Sequence, residues 1–253
     1  MKIWVNADDF GWNESCTKAI MEAFRSKMIT TTTACVNGEY FEEAVELIKN
    51  TPHASCVGIH FNLTEGKPLS SRIAKNKKFC IDGNFTGAFS RNKPLTKRDR
   101  QDVYEELSMQ AKRYIEAGLS VNHVDSHHHV HNAIFIFPIF LKVCKENSLY
   151  KVRLFRNIGP INFLKRIIKK YYNQQLIRGG YNYTEYFGSV SDFRVCNEMV
   201  GDNLEIMVHP DYNEFNELID RDPNSLYESP YGEKMKEIIE AFNVKGTEVY
   251  IKE

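Results

Sequence analysis

The sequence has no excess of charge of either sign, because its 253 residues include 33 Lys and Arg and 33 Asp and Glu. A balanced chain has no electrostatic reason to bind nucleic acid or an anionic membrane. No stretch approaches the roughly 20 apolar residues that span a bilayer. The opening residues, MKIWVNADDF, also lack the apolar run of a signal peptide. We therefore expect a cytoplasmic protein that binds neither nucleic acid nor membrane.

The sequence also lacks any Cys-x-x-Cys pair. Its six cysteines are scattered: Cys16, Cys35, Cys56, Cys80, Cys144 and Cys196. In a reducing compartment this pattern predicts six free thiols, most of them buried. The spacing does not predict a zinc-cysteine cluster.

Internal repeats and low-complexity tracts are absent as well, and β-prone runs alternate with amphipathic helical patterns. Strands are predicted over 2–7, 31–36, 55–63, 120–126, 150–155, 203–210 and 247–252, and helices over 14–27, 41–50, 97–117, 132–147, 160–178 and 231–243. Strands that alternate with helices imply βα units and a mainly parallel sheet.

About seven βα units in a chain of this length predict an α/β fold of the distorted TIM-like (β/α) barrel type. We expect it to form a single domain over 1–253. An open doubly wound sheet is the alternative, although no Gly-rich phosphate fingerprint follows the first strand. Residues 64–96 are irregular and rich in Gly, Lys, Ser and Asn, which predicts a loop that covers the substrate.

Polar side chains cluster where the predicted strands end. The first strand ends in Asp8 and Asp9, and later strands end near His60, near Asp125 and the histidines of DSHHHVH, and near His209; the strand over 150–155 carries Arg153. The carboxyl ends of parallel strands share one face, and that face holds the active site of an α/β barrel. These remote segments should therefore meet.

A catalytic metal needs about three protein ligands and open positions. Asp9, His60 and His127 would supply one carboxylate and two imidazoles. If the chain is extended after Asp125, then Asp125, His127, His129 and His131 face one way. Part of that row would bind the ion, and the others would orient the ligands or touch substrate. Such ligands suit Zn, Fe, Co or Ni, and also Mg or Mn where water completes the shell.

Asp8 and Asp9 are adjacent carboxylates, so one can bind the metal while the other takes a proton from the metal-bound water. Gly11 lets the chain turn sharply after the two aspartates, Arg153 would hold Asp8 ionised, and His209 would donate a proton to a leaving group. Together these groups predict metal-assisted hydrolysis. Each has a structural alternative, such as a solvated turn or a hydrogen-bonded core histidine, and their convergence at strand ends favours the catalytic hypothesis.

Five motifs resemble those of a known family. NADDFG, GIHFNLTEGKPL, HVDSHHHVH, VRLFR and EIMVHPDY occur in this order over residues 6–212. They resemble the YdjC-type carbohydrate deacetylases, which include chitooligosaccharide deacetylases. The chain departs from that pattern at Asp211, an added carboxylate beside the candidate acid, and over residues 72–95, which match loosely.

The resemblance implies a distorted TIM-like barrel and one divalent metal ion, most often magnesium, with zinc or another transition metal as the alternative. The ion would be held by Asp9, His60 and His127. Asp8 would be the general base, with Arg153 beside it, and His209 the general acid. The implied reaction removes an N- or O-acetyl group from a sugar and releases acetate, and the implied assembly is a homodimer.

Two other functions remain open at this point. One is a different metal-dependent barrel hydrolase, such as a phosphoesterase or an amidase. The other is a sugar- or metal-binding protein without catalysis. Aromatic residues near the predicted site, Phe10, Trp12 and Phe61, are candidates to stack on a sugar ring or to belong to the core.

Overall fold

A computed structural model of the chain describes residues 2–119, 123–181, 184–194, 203–221 and 229–230. The helix predicted over 231–243 and the strand predicted over 247–252 lie outside these ranges. The five cysteines within them are buried and form no disulfide, and Cys196 lies outside them. No helix of the described ranges is long and apolar enough to cross a membrane.

Strands and helices alternate along the described chain. The helices are α1 (Glu14–Arg25), α2 (Phe41–Ile48), α3 (Ser71–Ala74), α4 (Lys97–Glu116), α5 (Phe137–Glu146), α6 (Phe163–Arg178) and α7 (Val190–Arg194), with 3₁₀ helices at Pro52–Cys56 and His127–Asn132. The strands are β1 (Lys2–Phe10), β2 (Thr31–Ala34), β3 (Val57–Phe61), β4 (Cys80–Ile81), β5 (Asn84–Phe85), β6 (Val124–Ser126), β7 (Tyr186–Ser189), β8 (Asn203–Val208), β9 (Pro210–Tyr212), β10 (Leu218–Asp220) and β11 (Ser229–Pro230).

Contacts within the chain divide it into two compact units. The first unit comprises Met1–Asp8, Glu14–Thr32 and Lys151–Glu253, and the second comprises Asp9–Asn13 and Thr33–Tyr150. The boundaries pass through β1 and β2, so each of these strands contributes residues to both units.

In the first unit, the strand order is β2-β1-β8-β7. Strand β8 pairs in parallel with β1, where Val5 lies opposite Ile206, and with β7, where Gly188 lies opposite Ile206. Strands β9, β10 and β11 form a small antiparallel sheet. Helix α1 packs on β9 and buries an apolar stripe, including Ile20 and Phe24, at helical spacing.

In the second unit, the strand order is β6-β3-β2. Strands β3 and β6 pair in parallel, and this register sets His60 directly opposite Asp125. Helix α4 begins with a capping box, in which the Thr96 hydroxyl accepts from the Asp99 N–H (3.1 Å) and the Asp99 carboxylate accepts from the Thr96 N–H (3.0 Å). It ends just before Gly118, whose φ of +74° closes the helix as predicted.

The parallel strand pairs confirm an α/β fold. Closure into a distorted TIM-like barrel, and a single domain over 1–253, stay predictions. The predicted strand over 150–155 is wrong, since the structure has an isolated bridge at Val152 instead. Val152 and Leu154, the alternating apolar residues that predicted a strand, are buried. Alternation therefore reported burial here and not pairing in a sheet. Strand β7, which the sequence pattern did not indicate, pairs with β8.

The segment over 64–96 is less irregular than predicted, because it contains α3 and the β4–β5 hairpin. Helix α4 anchors it: the buried Glu106 carboxylate accepts from the N–H groups of Leu69 (3.1 Å) and Ser70 (2.6 Å). The segment also buries Ile73 and Phe79 completely. Its role as a substrate cover stays a prediction.

Helix α6 lies within the helix predicted over 160–178 and exposes large apolar side chains. Its large apolar residues face solvent, with Phe163 73% and Leu164 68% exposed, whereas Asn173 and Leu176 are buried. The charged residue Lys169 is more covered than these apolar side chains. The helix therefore exposes large apolar side chains along with most of its charged ones.

Gly58 permits the close approach of β3 to the chain that enters β6. A Cβ atom at this position would lie 2.1 Å from the His123 carbonyl oxygen and 3.0 Å from a Thr33 methyl group. The same carbonyl accepts the Ile59 N–H at 2.9 Å, so it cannot withdraw without loss of a ladder hydrogen bond. A side chain at this position would displace the strand that carries His60.

We predict that Gly58→Ala lowers the free energy of unfolding by about 3 kcal/mol, since overpacking against backbone forces the strands apart. The matched control is Gly118→Ala, which meets open space and has only a left-handed φ to maintain. That variant should lose about 1 kcal/mol. Urea unfolding of both variants measures the difference, and equal losses would contradict a steric role for Gly58.

Candidate functional site

The second unit brings the three predicted metal ligands together. The Asp9 Oδ1 atom lies 3.2 Å from His60 Nε2 and 2.8 Å from His127 Nδ1. The Cys35 thiol lies 3.7 Å from the same oxygen. All four side chains are buried, and one potential ligand atom from each lies within 4.8 Å of the others. We call Asp9, Cys35, His60 and His127 the donor cluster.

A backbone turn at the end of β1 directs Asp9 into this cluster. Asp9 has a φ of +74° and Gly11 a φ of +82°, and the Trp12 N–H closes the turn on the Asp9 carbonyl at 3.0 Å. In a regular strand, consecutive side chains point to opposite faces. The left-handed conformation at Asp9 breaks that alternation, and the turn predicted around Gly11 is confirmed.

The parallel register of β3 and β6 places Asp125 behind His60. The Asp125 Oδ1 atom lies 2.6 Å from His60 Nδ1, while Oδ2 accepts from the Thr33 hydroxyl at 3.1 Å. Asp125 therefore orients His60 so that Nε2 faces Asp9. Of the two roles open to Asp125, contact with substrate or orientation of a ligand, this geometry favours orientation.

The histidines after Asp125 are not extended. Residues His127–Asn132 form a 3₁₀ helix, and His128 and His129 have φ values of +49° and +52°. The prediction that His127, His129 and His131 share one side is therefore wrong, because two left-handed residues rotate the chain between them. His127 is the member of the row that meets Asp9.

The other members of the row pack elsewhere in the second unit. His131 is fully buried, its Nδ1 lies 2.5 Å from the Ser126 hydroxyl, and its ring stacks on Phe140 at 5.3 Å. The ring of His129 meets that of His131 edge-on at 6.2 Å. The contacts of His131 are those of a core residue, and a role of His129 or His131 near the substrate or behind a ligand stays a prediction.

Three neighbours surround the His127 ring. Trp12 stacks on it at 5.5 Å, His128 lies 4.2 Å away, and the Glu65 carboxylate lies 3.3 Å from Nε2. Trp12 is partly exposed beside the donor cluster. Phe10 and Phe61, the other aromatics considered for sugar stacking, are fully buried and belong to the core.

Burial and charge within the donor cluster shift the pKa values of Asp9 and His127. Burial by itself raises the pKa of Asp9, but the charge and hydrogen bond of His127, and then those of His60, hold the pKa of Asp9 well below its usual value. Burial lowers the pKa of His127, yet Asp9 and Glu65 outweigh this and raise it to about 9. A metal ion would replace the imidazole proton, and a buried set of one carboxylate, one thiol and two imidazoles has the donor chemistry that fits a divalent metal ion.

In the first unit, Arg153 and Asp8 form a fully buried ion pair. The Arg153 Nη1 and Nη2 atoms donate to the two oxygens of Asp8, both at 2.7 Å, and Nε donates to Glu205 at 2.7 Å. Asn6 also donates to Asp8 at 2.8 Å. This bidentate pairing holds Asp8 as a carboxylate in a fixed orientation. Glu205 was missed from the sequence, although it lies four residues before His209 and so on the same side of an extended segment.

His209 also lies next to Asp8, with Nε2 3.9 Å from Asp8 Oδ2. The backbone N–H of His209 donates to the Asp220 carboxylate at 2.8 Å. The His209 side chain keeps 19% of its accessible surface. The added carboxylate Asp211 is engaged elsewhere, since it accepts from Ser15 (2.5 Å) and pairs with Arg221 (3.0 Å). These contacts connect β9 to α1 and to the residue after β10.

Comparison with known proteins places the chain in one family. A model of the family described as YdjC-like protein matches residues 2–241. A "Carbohydrate deacetylase" of Clostridium beijerinckii is 30% identical over 98% of both chains. A "Chitooligosaccharide deacetylase" of Proteus mirabilis is 32% identical over 81% of this chain and 79% of its own.

The fold also matches a solved structure. A crystal structure of a "putative cellobiose-phosphate cleavage protein" from Enterococcus faecalis superposes with a TM-score of 0.70 at 21% identity, over 98% of this chain and 96% of its own. The family resemblance drawn from the five motifs is thereby confirmed, and the chain belongs to the YdjC-like protein family.

Proposed function

We propose that this protein is a metal-dependent hydrolase that removes acetyl groups from acetylated sugars of the N-acetylglucosamine type and releases acetate. The observation that carries the proposal is the donor cluster, in which Asp9, His60 and His127 meet within a chain of the YdjC-like family. The relatives named carbohydrate deacetylase and chitooligosaccharide deacetylase support the reaction and the substrate class.

In this proposal Asp9, His60 and His127 hold one divalent ion. The ion supplies Lewis acidity, which polarises the acetyl carbonyl and makes water more acidic. The family resemblance favours magnesium, and two imidazoles with one carboxylate also suit zinc. Asp125 contributes by holding Nδ1 of His60, so that Nε2 stays directed at Asp9.

Asp8 and His209 move the protons. Asp8 and Asp9 are consecutive, so a single peptide unit joins the proposed base to the ligand carboxylate. Asp8 accepts a proton from the water that attacks the acetyl carbon, and Arg153 keeps Asp8 ionised for this purpose. His209 gives a proton to the amine nitrogen as the C–N bond breaks. The products are acetate and the free amino sugar.

Three further features complete the proposal. The protein acts as a cytoplasmic homodimer, residues 64–96 cover the bound sugar, and Trp12 stacks on a sugar ring. The partly exposed indole beside His127 supports the last of these, because an aromatic face suits the apolar face of a sugar.

We predict that His127→Ala lowers acetate release from N,N′-diacetylchitobiose by at least about 100-fold, since loss of even an outer partner of a metal ligand costs 10- to 100-fold. Metal affinity should fall in parallel. The matched control is His53→Ala, which removes a histidine outside the donor cluster and should leave both quantities unchanged. Hydrolysis of phosphoesters in preference to the acetylated sugar would support a phosphoesterase instead.

Asp8→Asn and Asp9→Asn should separate the base from the ligand. Asp8→Asn should lower kcat by about 100- to 10,000-fold while metal affinity is retained, because it removes the proton acceptor and leaves the donor cluster intact. Asp9→Asn should weaken metal binding itself. Calorimetric titration with metal, together with acetate release at saturating metal, measures both effects. Equal loss of metal affinity in the two variants would contradict the assignment of Asp8.

Arg153→Met should lower the free energy of unfolding by about 3–5 kcal/mol, because it leaves the buried carboxylates of Asp8 and Glu205 without their cation. The matched control is Arg113→Met, which removes a partly exposed ion pair with Glu42 and should cost under about 1 kcal/mol. Thermal and urea unfolding measure both. A loss below about 1 kcal/mol in Arg153→Met would show that the burial of Asp8 and Glu205 does not depend on this arginine.

A further inference from the structure

The two imidazoles of the donor cluster each have a second ring nitrogen, and each of these nitrogens faces a carboxylate. His60 turns Nε2 to Asp9 and Nδ1 to Asp125, at 3.2 Å and 2.6 Å. His127 turns Nδ1 to Asp9 and Nε2 to Glu65, at 2.8 Å and 3.3 Å. A metal-binding imidazole offers the lone pair of one nitrogen and donates the N–H of the other. Glu65 thus contacts the second ring nitrogen of His127, as Asp125 contacts the second ring nitrogen of His60.

We propose that Glu65 is the positioning residue of His127. Its carboxylate accepts the Nε2–H of His127, which keeps the ring proton on Nε2 and directs the Nδ1 lone pair toward Asp9 and the ion. The inference rests on the proposed function, because it assumes that Asp9, His60 and His127 hold the metal.

The backbone around Glu65 is fixed by hydrogen bonds from buried asparagines. The Asn62 side chain donates to the Glu65 carbonyl at 2.9 Å and accepts from the Glu65 N–H at 3.2 Å. Asn37 contacts the same carbonyl at 3.5 Å. The next residue, Gly66, has a φ of +69° and passes so close to Trp12 that an added Cβ would lie 3.1 Å from the indole. This turn therefore presents the Glu65 side chain at a defined place.

Stacking alone cannot orient His127. Trp12 lies nearly parallel to its ring, at 23° and 5.5 Å, and so restricts the plane of the imidazole. A rotation of 180° about the Cβ–Cγ bond exchanges the positions of nitrogen and carbon atoms while the ring plane, and so the stack, is preserved. A hydrogen bond to one nitrogen distinguishes the two orientations, and Glu65 accepts such a bond at Nε2.

Glu65 is also placed to do two other things, and the experiment must separate them. Its side chain is 47% exposed, so it is accessible to a sugar hydroxyl. It also lies 3.8 Å from His128 Nε2, and Glu65, His127 and His128 form a second group with the chemistry of a cation site. Neither role requires that Glu65 affect the binding of an ion at Asp9.

The test compares Glu65→Ala, Glu65→Gln and the control Glu43→Ala, an exposed glutamate of α2, in the full chain. Metal-free protein is titrated with Zn²⁺ alone by calorimetry. We expect Glu65→Ala to bind zinc about 10- to 100-fold more weakly than wild type. Glu65→Gln, whose amide oxygen still accepts a hydrogen bond, should lose less than about 10-fold. Glu43→Ala should bind as wild type does.

Two further measurements exclude a merely structural role. The melting temperature of the metal-free Glu65 variants should stay that of wild type, and at saturating zinc their KM should be unchanged. A two-bond ¹H–¹⁵N spectrum of the zinc-loaded wild type should show the His127 proton on Nε2. The same spectrum of Glu65→Ala should show that this preference is weakened.

The unfavourable outcomes are distinct. If wild type binds zinc and Glu65→Ala binds it equally well, the positioning role is wrong, and a raised KM in that variant would assign Glu65 to the sugar. A stoichiometry of two ions that falls to one would assign it to a second cation site. If wild type binds no zinc and His127→Ala is fully active, the assignment of the metal ligands fails. If wild type releases no acetate from the acetylated sugar, the proposed function itself fails.

Discussion

The structure depends on the burial of two consecutive carboxylates at the end of β1. Asp8 is 3% and Asp9 7% exposed, and a buried carboxylate without a partner is strongly destabilising. Each carboxylate has different partners within its own unit. Asp8 is paired bidentately with Arg153, and Asp9 is surrounded by His60, His127 and the Cys35 thiol. An arginine is a permanent counter-charge, whereas imidazoles can share a carboxylate with a metal ion, and this difference in surroundings supports the proposed roles of Asp8 as base and Asp9 as ligand.

The parallel strands supply the precision of the donor cluster. His60 and Asp125 occupy facing positions of β3 and β6, so their contact follows from the strand register. The absence of a side chain at Gly58 allows the two strands to lie at that distance. A site built on paired strands retains its geometry better than one built on loops. His127 is the proposed ligand that lies outside the strands, and Trp12 and Glu65 contact its ring.

The two carboxylates that face the imidazoles differ in burial. Asp125 is completely buried and holds His60 within the core, whereas the side chain of Glu65 is about half-exposed. A buried partner can orient its ligand permanently. An exposed partner is open to solvent and ligands, so the orientation of His127 is the more sensitive of the two to what enters the site.

Much of the donor cluster could be predicted from the sequence, because polar residues at the ends of predicted parallel strands must converge. That argument brought together Asp9, His60 and His127, and separately Asp8 and Arg153, although the segment that carries Arg153 is not a strand. It failed for His129 and His131, since the pattern of DSHHHVH does not show that two of its residues adopt left-handed conformations.

The amino-acid sequence alone determined the family, the α/β class and the types of side chain available for catalysis. The tertiary structure decided which nitrogen of each histidine faces Asp9, and which carboxylates, Glu65 and Glu205, complete the two groups. These residues lie 62 and 52 positions from His127 and Arg153, respectively. Local periodicity reports burial and secondary structure over a few residues, so it carries no information on pairings formed only when distant segments pack.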